Sequence, residues 1–182
     1  MNKPKITYQY VLISAAAVFI TWILHEGAHW ATGEALGYSM TMNLNTVSLA
    51  EGAYRNNDEH IVSAAGPVFT IMQAIIVFLL VQRTNRLNWY PFLFVPLYMR
   101  IMAGLLNFIN LNDEGRISKA LGLGTFTLSI IVCGFLFYLV YKASKKAGYG
   151  AKLQWATVFL TMLFSSILIL ADQFFNLRSL VK

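Results

Sequence analysis

Five long apolar stretches most constrain what this chain can fold into. A helix needs about 20 apolar residues to cross the hydrocarbon core of a bilayer. The stretches cover about 6–25, 61–82, 88–111, 120–141 and 153–171. Four contain no charged residue, and the third contains one, Arg100. This pattern predicts an all-α polytopic membrane protein with five transmembrane helices, in which the first helix extends to about residue 32. We expect a multi-pass integral protein of the plasma membrane.

The composition excludes several other classes of protein. Hydrophobic residues make up 57% of the 182 residues and charged residues only 12%, whereas about a quarter of a soluble domain is charged. One cysteine, Cys133, leaves no disulfide framework within the chain. The net charge of +6 is typical of basic loops that flank membrane helices. We therefore expect a lipid bilayer around the chain and no nucleic-acid partner.

The connection after the first predicted helix, about 33–59, is the longest in the chain. Within it, Met40, Met42 and Leu44 alternate with polar residues, and Val47 and Leu49 alternate in a new phase. Alternation of this kind favours short strands. The segment therefore predicts a small β-hairpin.

A metal-binding pattern stands near the end of the first apolar stretch, where His25, Glu26 and His29 form the sequence His-Glu-x-x-His. Residues four apart share one face of a helix, so both imidazoles can bind one zinc ion. Glu26 is then placed to move a proton between water and a leaving group. Polar residues are costly within a membrane span and are usually functional there. The pattern predicts a Zn²⁺ site with His25 and His29 as ligands.

A catalytic zinc site needs a third protein ligand, and the order of the spans favours Asp113. The first and third spans run in the same direction, so their C-terminal ends lie at the same membrane face. Glu114, beside Asp113, remains an alternative ligand. His60 is better explained as an interfacial histidine, and Asp172 as a solvated helix end.

Three segments together resemble the site-2 protease family of intramembrane zinc metalloproteases. They are residues 25–29, the Ala-Ala-Gly-Pro-Val-Phe segment at 64–69, and the Asn-rich segment at 107–116, which is similar to the family's Asn-Pro-Asp-Gly. In this chain Asn110 stands in place of the proline, and Glu114 separates Asp113 from Gly115. The resemblance implies that this third segment supplies the third zinc ligand, Asp113.

The resemblance also implies a division of the chain into two parts. Residues 1–118 would form a membrane-embedded metalloprotease core of three helices, at about 6–32, 60–82 and 88–111. Residues 119–182 would add two further transmembrane helices, at about 120–141 and 153–171. These two helices carry no motif of the family.

The implied function is that of a zinc-dependent intramembrane endopeptidase, a hydrolase that cuts a membrane protein or peptide substrate in or near a transmembrane segment. Glu26 would be the catalytic proton carrier, and Asn107 either a second donor to substrate or a polar contact between helices. The 40–49 segment would offer an edge strand to an extended substrate. The alternatives are a catalytically silent scaffold that keeps the fold to bind a partner, and a metal transporter. The pattern predicts no oligomeric state.

Two indicators of membrane orientation disagree. Eight Lys and Arg residues fall on one predicted side and five on the other, which favours an N-terminus on the inside. The resemblance implies a zinc site toward the cytoplasm, and this requires the opposite orientation. The charge count includes Lys3, Lys5, Arg178 and Lys182.

Overall fold

The computed structural model of the chain describes residues 6–174. Lys3, Lys5, Arg178 and Lys182 lie outside the described residues. So do the start of the predicted 1–118 part and the end of the predicted 119–182 part. The described residues form six α-helices and one two-stranded sheet. In chain order the elements are α1 (Tyr8–Ala35), β1 (Met40–Met42), β2 (Val47–Leu49), α2 (Asp58–Thr84), α3 (Tyr90–Leu106), α4 (Asp113–Ala120), α5 (Thr127–Ala147) and α6 (Ala151–Phe174).

Five helical segments are long and apolar enough to cross a membrane: α1, α2, α3 with the short turn before it, α5 and α6. The predicted five spans are thus confirmed by length and composition, and they indicate a membrane protein. Polar groups in such helices need partners inside the protein, because lipid offers none. The Tyr10 and Thr157 hydroxyls form a buried hydrogen bond of 2.6 Å between α1 and α6. The Tyr90 and Ser144 hydroxyls join α3 to α5 at 2.9 Å.

The first three spans pack against one another, and one polar side chain joins them. The Gln73 amide of α2 donates to the Thr21 hydroxyl of α1 at 2.8 Å and to the Phe92 carbonyl of α3 at 3.1 Å. The last two spans belong to the same core, since Leu136 of α5 and Leu153 of α6 lie in one apolar cluster with residues of α1, α2 and α3.

Two helix boundaries differ from the sequence prediction. The third span ends at Leu106 and not near residue 111. The side chains of Asn107 and Asn112 accept hydrogen bonds from backbone N–H groups of the turn that follows, and so stabilise the turn in place of a longer helix. The fourth span begins at Thr127 and not near 120, after Gly122 and Gly124, whose φ angles of +71° and +81° interrupt a helix. Between these two points lies α4, an eight-residue helix that no sequence pattern predicted.

The predicted hairpin is present as β1 and β2, which pair antiparallel with Met42 opposite Val47. The Asn43 N–H donates to the Thr46 carbonyl and the Ala50 N–H to the Ser39 carbonyl, each at 2.8 Å. Bonded and non-bonded pairs alternate in an antiparallel ladder. The backbone N–H and C=O groups of Met42 and Val47 therefore point away from the partner strand, toward the two outer edges of the hairpin.

Candidate metal centre

Three potential metal ligands from two separate helices meet at one point. His25 Nε2 and His29 Nε2 of α1 lie 3.2 Å apart. Asp113 Oδ2 of α4 lies 3.5 Å from the first and 3.3 Å from the second. Among the described residues, these three form a group whose ligand atoms could hold a metal ion. Asp113 thus lies beside His25 and His29, as the order of the spans predicts.

The spacing of the three atoms fits a tetrahedral metal ion. Ligands about 2.0–2.1 Å from zinc at tetrahedral angles lie about 3.3–3.4 Å from each other, which matches the observed triangle of 3.2, 3.3 and 3.5 Å. Imidazole nitrogens suit zinc and related transition metals, whereas calcium and magnesium prefer oxygen ligands. The donor set and the spacing are therefore compatible with zinc.

A hydrogen bond to α2 sets the orientation of the His29 ring. His29 Nδ1 lies 2.6 Å from the Val62 carbonyl oxygen. A carbonyl can only accept, so Nδ1 donates to it, and Nε2 is the ring nitrogen that faces His25 and Asp113. Outer partners of this kind fix both the tautomer and the direction of a metal-binding histidine.

Gly66 allows α2 to lie directly against the two imidazoles. A Cβ atom at this position would overlap His29 Nε2 and lie 2.6 Å from His25 Nδ1. The Ala-Gly-Pro part of the sequence pattern thus has a steric function, because only a residue without a side chain permits this approach.

A network of asparagine side chains places Asp113. The Asn112 side chain caps α4 by accepting from the Gly115 N–H at 3.2 Å. The Asn112 N–H donates to Asn107 Oδ1 at 2.9 Å, and Asn107 Nδ2 donates to the Ser129 hydroxyl at 3.2 Å. The chain therefore turns sharply after α3, and the first residue of α4 points back toward α1.

This network occupies both polar atoms of Asn107, whose residue is only 8% exposed. Its contacts agree with the predicted alternative of a polar helix contact. A role for Asn107 as a donor to substrate stays a prediction.

The electrostatics of the centre favour an ionised Asp113. Burial acts to raise the pKa of this carboxyl group, but hydrogen bonds and electrostatic interactions with His25 and His29 outweigh it and hold the pKa well below its usual range. The carboxylate form, which is the form that binds a metal, is thus present at neutral pH.

Arg100 and Glu114 form a buried ion pair beside the three ligand atoms. Arg100 Nη1 lies 2.8 Å from Glu114 Oε1, and the two residues are 3% and 2% exposed. The same guanidinium reaches His25 Nε2 at 3.4 Å and Asp113 Oδ2 at 3.9 Å. Of the two candidates for the third ligand, Asp113 faces the imidazoles and Glu114 faces Arg100.

A cavity of about 180 Å³ opens above the imidazoles. Glu26 lies in its wall and is 6% exposed. The hairpin contributes Asn45 and Val47 to the lining. Polar side chains from the surrounding segments complete it, among them Tyr54, Glu59 and Arg116.

The remaining ligand candidates lie elsewhere. His60 lies on the first turn of α2, in a groove that it shares with Ile117 and Leu121, outside the group of three ligands. Asp172 lies at the end of α6 and is partly exposed, as expected, but it also makes a contact that the sequence did not predict: its Oδ1 accepts from the Leu44 N–H at 3.1 Å. No local sequence pattern indicates this contact, because 128 positions separate the two residues.

Comparison of the chain with protein-family models, with curated proteins and with solved structures finds no match. The centre is therefore interpreted from its own geometry.

We predict that Gly66→Ala impairs metal binding. The added methyl group would displace the imidazoles, and changes next to metal ligands commonly reduce affinity by about 10- to 100-fold. Competition titration of the purified protein with a chromophoric zinc chelator measures the effect. Gly134→Ala in α5, where a Cβ meets nothing within 4 Å, is the matched control and should bind zinc like the wild type. Equal affinities in the two variants would contradict the steric function of Gly66.

Proposed function

We propose that this protein is a zinc-dependent intramembrane endopeptidase. The observation that carries the proposal is the triangle of ligand atoms from His25, His29 and Asp113. The two histidines lie on a helix long enough to span a membrane, and the Glu26 side chain lies in the wall of the same cavity. Three protein ligands next to an open cavity are typical of catalytic zinc, whereas structural zinc has four.

The charges around the centre support a divalent cation. Four carboxyl groups surround the centre, those of Glu26, Asp113, Glu114 and Glu59. Two guanidinium groups oppose them: Arg100 pairs with Glu114, and Arg116 lies 3.6 Å from both Asp113 and Glu59. When the carboxyl groups are ionised and the imidazoles neutral, the cluster carries two excess negative charges. Buried charge without compensation is costly, and a divalent ion at the three ligand atoms would neutralise it.

Glu26 would carry the proton in this reaction. A zinc ion held by the three ligands would supply Lewis-acid polarisation of a carbonyl group and acidification of water. The Glu26 carboxylate, in the wall of the cavity, would accept a proton from the attacking water and pass it to the departing amine. The carboxylate of Asp113 and the imidazoles hold the reaction centre in place, and the buried Arg100 keeps Glu114 away from it.

The hairpin would hold the substrate in an extended form. A helical segment hides its carbonyl groups in intrahelical hydrogen bonds, so the peptide bond to be cut must be unwound. The outer edge of β2 presents the backbone of Val47, whose residue lines the cavity. An extended substrate pairing with this edge would lie next to the ligand atoms. The substrate would be a membrane protein or peptide that reaches this cavity.

Two substitutions test the assignment of Glu26 and His25. Glu26→Gln should abolish cleavage and retain about one zinc per chain, since glutamine cannot carry the proton. His25→Ala should lose the zinc as well, since it removes a ligand. Mass spectrometry of membrane proteins incubated with each form would detect fragments, and elemental analysis the metal. Cleavage by Glu26→Gln would refute the role of Glu26, and a wild-type protein that binds zinc without cleaving anything would favour the silent scaffold.

A pair of proline substitutions tests the edge that binds substrate. Val47→Pro and Met42→Pro each remove an N–H that points away from the hairpin, on opposite edges. Loss of one backbone hydrogen bond to substrate should reduce kcat/KM about tenfold in Val47→Pro, with zinc content unchanged. Met42→Pro is the control for the opposite edge. Because it also removes a side chain that is 5% exposed, it should cleave at the same rate as Met42→Ala. If both proline variants cleave equally well, pairing with β2 is excluded.

A further inference from the structure

The tip of the hairpin is held by the last helix, α6. The Leu44 N–H donates to Asp172 Oδ1 at 3.1 Å. The Leu44 side chain packs against an apolar cluster that includes Leu168. Leu168 and Asp172 are four residues apart on α6 and so share one face of the helix. One face of α6 thus provides the hydrogen bond to Leu44 and one member of the apolar cluster against which Leu44 packs.

The root of the hairpin is held by α1. The Met40 N–H donates to Glu34 Oε1 at 2.8 Å. The Met40 side chain lies over Gly33, where a Cβ would stand 2.5 Å from the Met40 sulfur. Asn45, which follows Leu44 in the turn, and Val47, the first residue of β2, line the cavity at the imidazoles.

These anchors determine where the hairpin lies, because its strands have only three residues each. An isolated two-stranded hairpin is marginally stable in water. Its position over the cavity must therefore come from contacts outside the hairpin. The contact at the root comes from Glu34 of α1, the helix that carries both histidines, and is local in sequence. The contact at the tip comes from α6, a helix to which the sequence assigned no role.

We infer that Asp172 is a positioning residue, which holds the Leu44 end of the hairpin on α6 so that Asn45 and Val47 bound the cavity above the imidazoles. Its consequence for substrate binding rests on the proposed function. Through this contact α6 fixes the wall of the cavity against which substrate would lie.

Amide hydrogen exchange at Leu44 tests the contact itself, by NMR of the full chain in detergent micelles with ¹⁵N-labelled leucine. In the wild type this amide should be protected. Asp172→Ala should accelerate its exchange at least about tenfold, as expected for loss of a hydrogen bond to a charged group. Asp172→Asn keeps an oxygen acceptor and should restore protection. Glu51→Ala removes an exposed carboxylate near the same hairpin and should change nothing at Leu44.

The functional consequence is measured on the same variants. Asp172→Ala should raise the KM for substrate with zinc content and kcat near the wild-type values, and Asp172→Asn should restore KM. The inference is overturned if Leu44 is unprotected in the wild type, or if its exchange is the same in Asp172→Ala and the wild type. Absence of any cleavage by the wild type would refute the proposed function alone, since the exchange measurement does not depend on cleavage.

Discussion

The contact between Gly66 of α2 and the imidazoles of α1 is the interaction on which the rest of the centre depends. Two histidines on one helical turn face the same side, but their rings have many orientations open to them. The backbone of α2 removes this freedom, since Gly66 lies against both rings and the Val62 carbonyl accepts a hydrogen bond from His29 Nδ1. Because the rings are held in place, a single carboxylate from α4 completes the ligand triangle.

The membrane setting explains why so few polar groups are present and why they interact. Lipid offers no hydrogen-bond partners, so each polar side chain within the spans must find one in the protein. Gln73 binds two neighbouring helices, Tyr10 binds Thr157, and Arg100 pairs with Glu114. Within this setting the two imidazoles and the Asp113 carboxylate face one another at 3.2–3.5 Å, and this close spacing of three potential ligand atoms is the physical argument for a metal.

Much of the fold could be predicted from the sequence because its signals are local. The apolar stretches predict the spans, the alternation at 40–49 predicts the hairpin, and the spacing of His25 and His29 predicts a shared helical face. The parallel direction of the first and third spans is sufficient to place Asp113 near both. These predictions need only the length of a helix and the direction of the chain.

The remaining features depend on contacts that no local pattern encodes. The helix α4 depends on the Asn112 cap and on the Asn107 contact, in a segment that looks like the broken end of a span. The pairing of Arg100 with Glu114 requires the turn after α3 to bring the chain back. The bond between Leu44 and Asp172 requires the packing of the first and last spans. Each of these features could be described only once the tertiary structure was known.

X-ray absorption spectroscopy at the zinc edge of the purified full chain tests the central claim most directly, because it reports the ligands of a bound metal without requiring a substrate. We expect about one zinc per chain, with two imidazole nitrogens and a carboxylate oxygen at about 2.0–2.1 Å and a further light ligand in place of a fourth protein donor. A chain that retains no zinc, or a spectrum without imidazole scattering, would contradict this claim.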